Sequence, residues 1–236
     1  MKPQAIFNWS SGKDSALALY KILEEDKFEI TSLLTSINKE FQRISMHGVH
    51  VSLLEKQAES LGLNLIKMEI PKEPTMEEYR EIMSKNMNDI KSSGVTHSIF
   101  GDIFLEDLRQ YREDQLQSIG IKAVFPLWKQ NTTDLIQEFL DLGFKTIVTC
   151  VNETYLDKSF AGRIIDKDFI KDLPENVDPC GENGEFHTFT FDGPIFKNKI
   201  EFEIGETVKK TYPKPKSDES ENDGEYVFWF CDLIEK

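Results

Sequence analysis

Ala5-Ile6-Phe7-Asn8-Trp9-Ser10-Ser11-Gly12-Lys13-Asp14-Ser15-Ala16-Leu17-Ala18-Leu19-Tyr20 is the stretch around which this chain is organised. Residues 5–9 are mostly apolar and read as a short buried strand. A tight polar turn follows, and a helical pattern begins with apolar residues at Ala16, Leu19, Tyr20 and Leu23. A strand that runs through a small-residue loop into a helix start makes an anion site. The loop's N–H groups and the positive end of the helix dipole both point at the ligand. Lys13 adds a mobile cation, and Ser10, Ser11 and Ser15 add hydroxyl donors. Asp14 is the odd member, because a carboxylate repels a phosphate unless a metal ion stands between them. The competing reading is an ordinary glycine-containing strand–helix turn, and the order strand, loop, helix favours the phosphate site.

The spacing excludes the commoner nucleotide loops. No glycine stands where a Walker A loop requires one before Gly12-Lys13, and no G-x-G-x-x-G is present. The loop resembles the S-G-G-K-D-S signature of the PP-loop ATP pyrophosphatases, with Ser11 in place of the first glycine. That resemblance implies a loop that holds the pyrophosphate of ATP while the bond between the α- and β-phosphates is cut. Ser11 fits this place if its φ is negative.

The chain has 236 residues, enough for one large or two small domains, and 39% hydrophobic with 30% charged residues describes a soluble globular protein. No apolar run approaches the roughly 20 residues that cross a bilayer. The first strand begins almost at once, which leaves no room for a signal peptide. Cys150, Cys180 and Cys231 lie far apart with no C-x-x-C pair. This argues against a disulfide framework and a cysteine metal site, and it points to the cytoplasm. The net charge of −14 disfavours nucleic acid as a partner. A homo-oligomer is compatible with all of this.

Residues 29–36 (EITSLLTS) read as a second strand, and a helical stripe at Val51, Leu54, Ala58 and Leu61 runs to a C-cap at Gly62. Residues 64–70 make a third strand. Thr75 with Glu78 forms a capping box that opens a helix to about Lys91. Its stripe of Met76, Tyr79, Ile82, Met83, Met87 and Ile90 reads as core. A fourth strand at 96–100 ends in Gly101-Asp102, a helix covers 105–118, and a strand follows at 122–125. Strands alternating with helices imply an α/β doubly wound parallel sheet, whose ligands sit at the carboxyl ends of the strands. The loop at 10–15, the end of the second strand at Thr35 and Ser36, and Gly101-Asp102 share that edge.

The periodicity changes near residue 130, where we place a domain boundary: 1–130 for ATP binding and 131–236 as a smaller α+β domain. The second part holds a helix from Thr132 or Thr133 to Leu142, a strand at 146–151, a short helix at 166–173 and the turn-rich 174–184. β-Patterned pieces follow at 186–191, 195–196, 199–204 and 226–233. Residues 213–224 carry prolines and charges without an apolar residue and read as a mobile acidic loop.

Residues 178–188 (DPCGENGEFHT) concentrate polar groups that no amphipathic pattern explains. Two glycines allow sharp turns and close approach to a ligand. Glu182 and Glu185 are carboxylates suited to a base or a metal, and Asn183 and His187 to orienting a substrate. A glycine-rich hairpin with solvated charges accounts for the same residues equally well.

The PP-loop, Arg43-Ile44-Ser45-Met46-His47-Gly48-Val49, Phe100-Gly101-Asp102-Ile103, Pro126-Leu127-Trp128, Ala161-Gly162-Arg163 and above all Gly181-Glu182-Asn183-Gly184-Glu185-Phe186-His187-Thr188 occur here in one order. Together they resemble the diphthine–ammonia ligase (diphthamide synthase) family. The resemblance runs to about Phe191, and it implies a PP-loop domain of HUP, Rossmann-like type followed by a smaller domain. The implied reaction adenylates the carboxylate of diphthine, a modified histidine on elongation factor 2, and ammonia displaces AMP. Short bacterial proteins also resemble this family although bacteria lack diphthamide, so the acceptor carboxylate stays open. No further C-terminal domain of the kind larger eukaryotic members carry is present in this sequence.

A carboxylate resists ammonia because it is anionic and lacks a leaving group, and transfer of AMP removes both obstacles. Such an enzyme must hold two anions in line, which calls for Mg²⁺ and fixed donors more than for a strong base. On this reading Ser10, Ser11, Gly12, Lys13 and Ser15 hold the pyrophosphate, Asp14 holds Mg²⁺, and Gly101 and Asp102 lie beside the α-phosphate. Thr35 and Ser36 meet adenine. Glu182, Asn183, Glu185 and His187 form the acceptor and ammonia pocket. His47 is either a ligand contact or a structural hydrogen-bonder, and Arg163 either holds an acceptor carboxylate or makes a surface salt bridge. Two rivals stand beside this reading. One is a different PP-loop reaction, tRNA modification or amidation of a small metabolite, and the other is a non-catalytic ATP-binding module.

Overall fold

The computed structural model describes residues 1–213 and 225–236. The strand that leads into the PP-loop, β1 (Gln4–Asn8), lies at the centre of a sheet, because its residues Ala5, Ile6 and Phe7 are wholly buried. It pairs in parallel with β2 (Glu29–Asn38) on one side and β5 (His97–Ile99) on the other. β4 (Asn64–Ile70) extends the sheet beyond β2, and β6 (Lys122–Val124) beyond β5, both in parallel. The parallel order is therefore β4-β2-β1-β5-β6, and the strand order reverses between β1 and β5. Ligands of open α/β sheets bind above such a switch point.

Successive β1 residues face opposite layers, as the two-residue period demands. Ala5 and Phe7 pack against α1 (Lys13–Glu25), α2 (Val51–Leu61) and α5 (Thr132–Asp141). Ile6, with Leu34 and Met68, packs against α3 (Met76–Ser92) and α4 (Glu106–Gln117). The helix ends follow the local signals. Thr75 and Glu78 make the capping box reciprocally, and Gly62 ends α2 with φ of 71°.

Three details differ from the sequence reading. Arg43–Ile44 forms a short strand, β3, antiparallel to the far end of β2, where β1 has already stopped and leaves that edge open. Residues 195–196 form no strand; their aromatic member, Phe196, instead packs edge-on against Trp9. Pairing in the second sheet is also longer than alternation implied. β9 (Phe202–Pro213) runs antiparallel to β10 (Glu225–Glu235) over ten paired positions despite its charged residues, because β9 is the edge strand and most of it faces water. Apart from Pro213, which ends β9, the acidic loop at 213–224 lies outside the described residues.

The second sheet has the order β8-β7-β10-β9, with β7 (Lys145–Asn152) antiparallel to β8 (Phe186–Asp192). A short helix, α6 (Lys167–Asp172), is capped by the Asp166 side chain. One buried apolar cluster spans both halves, from Ala5 and Leu19 through Phe139 to Phe189 and Leu233. β8 is the other edge strand, and its open edge meets the PP-loop.

Candidate active site

The PP-loop depends on one residue in a left-handed conformation. Ser11 has φ of +72°, not the negative value expected, and its hydroxyl is buried without a partner among the described residues. That conformation explains why a glycine suits the position: a side chain there crowds the following carbonyl. The reversal turns the Ser11 carbonyl inward, where it accepts from Thr190 N (2.9 Å) and Gln57 Nε2 (3.1 Å). Gln57 also donates to the Thr190 carbonyl and accepts from Trp9 Nε1 at 2.8 Å. This buried network clamps the loop between α2 and β8.

Gly12 stands where α1 begins. A Cβ on it would lie 2.9 Å from a carbon of His47 and 3.1 Å from Thr188 Oγ1. Gly101 is equally confined, since its Cβ would lie 3.0 Å from the Ser15 amide nitrogen. The switch point therefore closes backbone to backbone. Among the first amides of α1, Gly12 N donates to Ser10 Oγ and Lys13 N to Thr188 Oγ1 (3.0 Å). No partner is found for the amides of Asp14 and Ser15 among the described residues, and they remain as donors at the positive end of the helix.

Lys13 is buried, and its ammonium donates to both Asp14 oxygens (2.6 and 2.7 Å) and to the Cys180 carbonyl. Burial pulls its pKa down, but Asp14 foremost among the neighbouring charges outweighs this and leaves it raised. The cation thus ties the PP-loop to residues 178–188. That segment is built on Asp178, which caps the turn by accepting from Cys180 N and Glu182 N and bonds Thr132 Oγ1 at 2.7 Å.

A cleft of ≈ 990 Å³ opens above the switch point. It is lined by Ser10, Lys13, Asp14 and Ser15 of the loop, by Thr35 and Ser36, by His47, and by Gly101 and Asp102. Glu182, Asn183 and His187 line it from the other half. Ser11 and Gly12 lie behind this surface rather than on it. Glu185 also does not line the cleft: its side chain is buried, and Oε1 accepts from Asp178 N (3.0 Å) and Asn183 Nδ2 (3.1 Å). Arg163 is absent from the lining as well. It pairs with Asp172 at 2.8 Å over the rings of Phe160 and Phe169.

Electrostatics divide the cleft groups. Burial, and then the charge of Asp14, push the Glu182 carboxyl up to about 7, although the amides of Ile103 (2.9 Å) and Phe104 donate to it. Burial raises Asp102 too, against the pull of Arg112. The rings of His47 and His187 stand 4.8 Å apart. Burial lowers both, His187 to about 3, so both imidazoles are neutral at neutral pH. His47 Nδ1 lies 2.9 Å from the Thr188 carbonyl, which fixes that nitrogen as the protonated one.

The cleft also contains residues that sequence reasoning did not single out. Tyr79 and Met83 belong to the α3 stripe read as core. Of that stripe Met87 and Ile90 are buried, Met76 is 67% exposed, and Tyr79 and Met83 face the cleft. Arg112 lies in a helix so rich in charge that it reads as solvated, and no local signal separates it from Arg109 one turn earlier.

The family model described as diphthamide synthase N-terminal domain matches residues 1–123, and that described as diphthamide synthase C-terminal domain matches 131–214. The chain belongs to the diphthamide synthase family. Curated relatives are similar at lower coverage. The bovine diphthine–ammonia ligase is 30% identical over 125 residues, 50% of this chain and 47% of that protein. The Danio rerio diphthine–ammonia ligase is 27% identical over 169 residues, 64% of this chain and 65% of that protein. The chain spans about half the length of the bovine relative it matches. A solved U34-tRNA thiolase, NcsA from Methanococcus maripaludis with its [4Fe-4S] cluster, shares a TM-score of 0.34 and 13% identity over 60% of this chain and 57% of that one. Among the described residues no helix is long and apolar enough to cross a membrane.

Proposed function

We propose that this protein is an ATP-dependent, AMP-forming ligase that adenylates a carboxylate and passes the acyl group to ammonia in the cytoplasm. Diphthine is the acceptor that the relatives' name, diphthine–ammonia ligase, supports, and the family resemblance implies that elongation factor 2 carries it. The observation that carries the reading is the contact between the two motifs. Lys13 bonds the Cys180 carbonyl and its amide bonds Thr188 Oγ1, and these contacts, at the two ends of the second motif, support a site shared with the phosphate loop.

The triphosphate takes the amides of Asp14 and Ser15, with Lys13 as counter-charge and the hydroxyls of Ser10 and Ser15 as further donors. Adenine lies at Thr35 and Ser36, and the α-phosphate beside Gly101 and Asp102. The residues fit a divalent cation that arrives with the nucleotide. Asp14 and Glu182 face the same cleft, and Asp14 raises the pKa of both Glu182 and Asp102, a concentration of negative potential. Among the described residues no three metal-binding side chains converge. One carboxylate plus substrate phosphates is the usual arrangement for Mg²⁺. Asp14 would hold it, and its chemistry would be neutralisation of phosphate charge.

Glu182 is the group placed to take a proton from ammonium or from the amine formed on attack, since a base near pH 7 works best at neutral pH. Asn183 and the neutral His187 orient the acceptor. Glu185 shapes the loop that presents them. The test is to supply purified protein with ATP, Mg²⁺, ammonium and elongation factor 2 carrying diphthine. AMP and pyrophosphate should appear with the amide, and Lys13→Ala should abolish all three. Release of ADP, or tight ATP binding with no pyrophosphate from any acceptor, would sink the adenylation chemistry.

A further inference from the structure

Among the described residues the cleft has two cationic side chains on its lining, Lys13 and Arg112. The three N–H groups of Lys13 are all engaged, two by Asp14 and one by the Cys180 carbonyl. Arg112 is engaged along one edge alone. Its Nη2 donates to Asp102 Oδ1 at 3.2 Å, and its Nε stands 3.0 Å from Oδ2 without the alignment of a hydrogen bond. The guanidinium carbon lies 4.4 Å from the centre of the Phe100 ring, so stacking fixes the plane of the group. Nη1, on the opposite edge, has no partner among the described residues. A planar fork with one edge held and one edge free is a seat for a carboxylate.

The surroundings distinguish this seat from the phosphate site. Donors for a polyanion gather at the start of α1, whereas Arg112 projects from α4; Tyr79, Met83 and Tyr111 line the same cleft, and the charges of Tyr111 and Arg112 both act on the Tyr79 hydroxyl. Tyr79, Met83 and Tyr111 offer that region aromatic and thioether surface, which packs against the carbon chain of a substrate arm. The cleft volume of ≈ 990 Å³ stands at the top of the range of roughly 300–1,000 Å³ for small-molecule sites, room for a nucleotide and a second reactant. Asp102 joins the two regions, since it holds Arg112 and follows Gly101 at the switch point.

We propose that the free edge of Arg112 binds the acceptor's carboxylate, and that Tyr79, Met83 and Tyr111 hold the arm that carries it. This rests on the ligase reading above. Arg112 is then a substrate-binding residue that aligns the carboxylate with the α-phosphate.

Two variants test it. Arg112→Gln removes the charge, and Arg112→Lys keeps a charge beside Asp102 while removing the second edge. Both should bind the Mg²⁺ complex of α,β-methylene-ATP as the wild type does, and Arg112→Lys should keep its melting temperature. KM for diphthine-bearing elongation factor 2 should rise about 10- to 100-fold in each, the weight of a charge-assisted hydrogen-bond pair. A second measurement is independent of turnover. 4-Phenylbutyrate, titrated into protein loaded with the ATP analogue and followed by saturation-transfer NMR, should bind the wild type and neither variant, while 4-phenylbutanol binds all three. Weakened analogue binding with an unchanged KM would make Arg112 a phosphate contact and overturn the proposal. So would equal binding of phenylbutyrate to the wild type and Arg112→Lys. A wild type that forms no AMP would refute the ligase reading, and the phenylbutyrate titration would still decide the carboxylate seat.

Discussion

Ser11 carries the clearest local conflict in the molecule. Its left-handed backbone costs about 1–2 kcal/mol for a residue with a side chain, and its buried hydroxyl has no partner among the described residues. Glycine removes both penalties but gives up roughly 0.5–1 kcal/mol through the entropy of the unfolded chain. Ser11→Gly should therefore be more stable by about 1 kcal/mol, a rise in Tm of roughly 2–4 °C for a chain of this size. Calorimetry that finds a lower Tm would contradict the strain. Glu182 makes a second prediction, on pH. Its carboxyl titrates at about 7 in the folded protein against an ordinary 4.5. Between those values the folded state keeps a proton that the unfolded chain has released, so stability falls as pH rises from about 4.5 to about 7 and is level above. Glu182→Gln removes this fall. The Tm of the variant relative to wild type should climb from pH 4.5 to pH 8, and a constant difference would show that Glu182 does not titrate in that window. His187, lowered to about 3, acts with the opposite sign in both proteins and cancels in the comparison.

At the scale of elements, the segment from Asp178 to β8 acts as a shaped loop rather than a row of reactive groups. Glu185 is the pin, because its Oε1 accepts from Asp178 N and from Asn183 Nδ2. Glu185→Ala leaves both donors without an acceptor and frees Asn183 to move. Acceptor turnover should fall about a hundredfold, the effect of a misplacement of roughly 1 Å, while α,β-methylene-ATP still binds. Loss of nucleotide binding in this variant would mean that the loop also builds the phosphate site. The parallel sheet and the phosphate loop were legible because alternating strands, helices and caps each have a local signature. β3 and the long β9 were not, since two residues carry no period and an edge strand tolerates charge on its wet face. Tyr79 and Met83 were hidden for a related reason. A helical stripe shows which face turns inward, but not whether that face meets core or cleft. Arg112 becomes visible only through Asp102 and Phe100, which the fold brings to it.

For the whole molecule, the sequence reading places a boundary near residue 130, and the packing bears on what such a boundary would mean. α5, just beyond it, buries Leu135, Ile136 and Phe139 in the same cluster as Leu17 and Leu19 of α1, and Lys21 bonds Glu138 at 2.7 Å. Farther on, Phe189 of β8 joins that cluster, and Thr190 and Gln57 lock β8 to the Ser11 carbonyl. A half cut at 130 would expose this apolar surface and break the two bonds that Thr190 makes to the Ser11 carbonyl and to Gln57, each worth about 0.5–1.5 kcal/mol. We therefore expect the two halves to unfold together. Calorimetry should give one transition whose van't Hoff and calorimetric enthalpies agree, and the Mg²⁺ complex of α,β-methylene-ATP should shift that single peak upward as a unit. Two peaks, with the nucleotide moving one of them, would show that the site is assembled from independently stable domains.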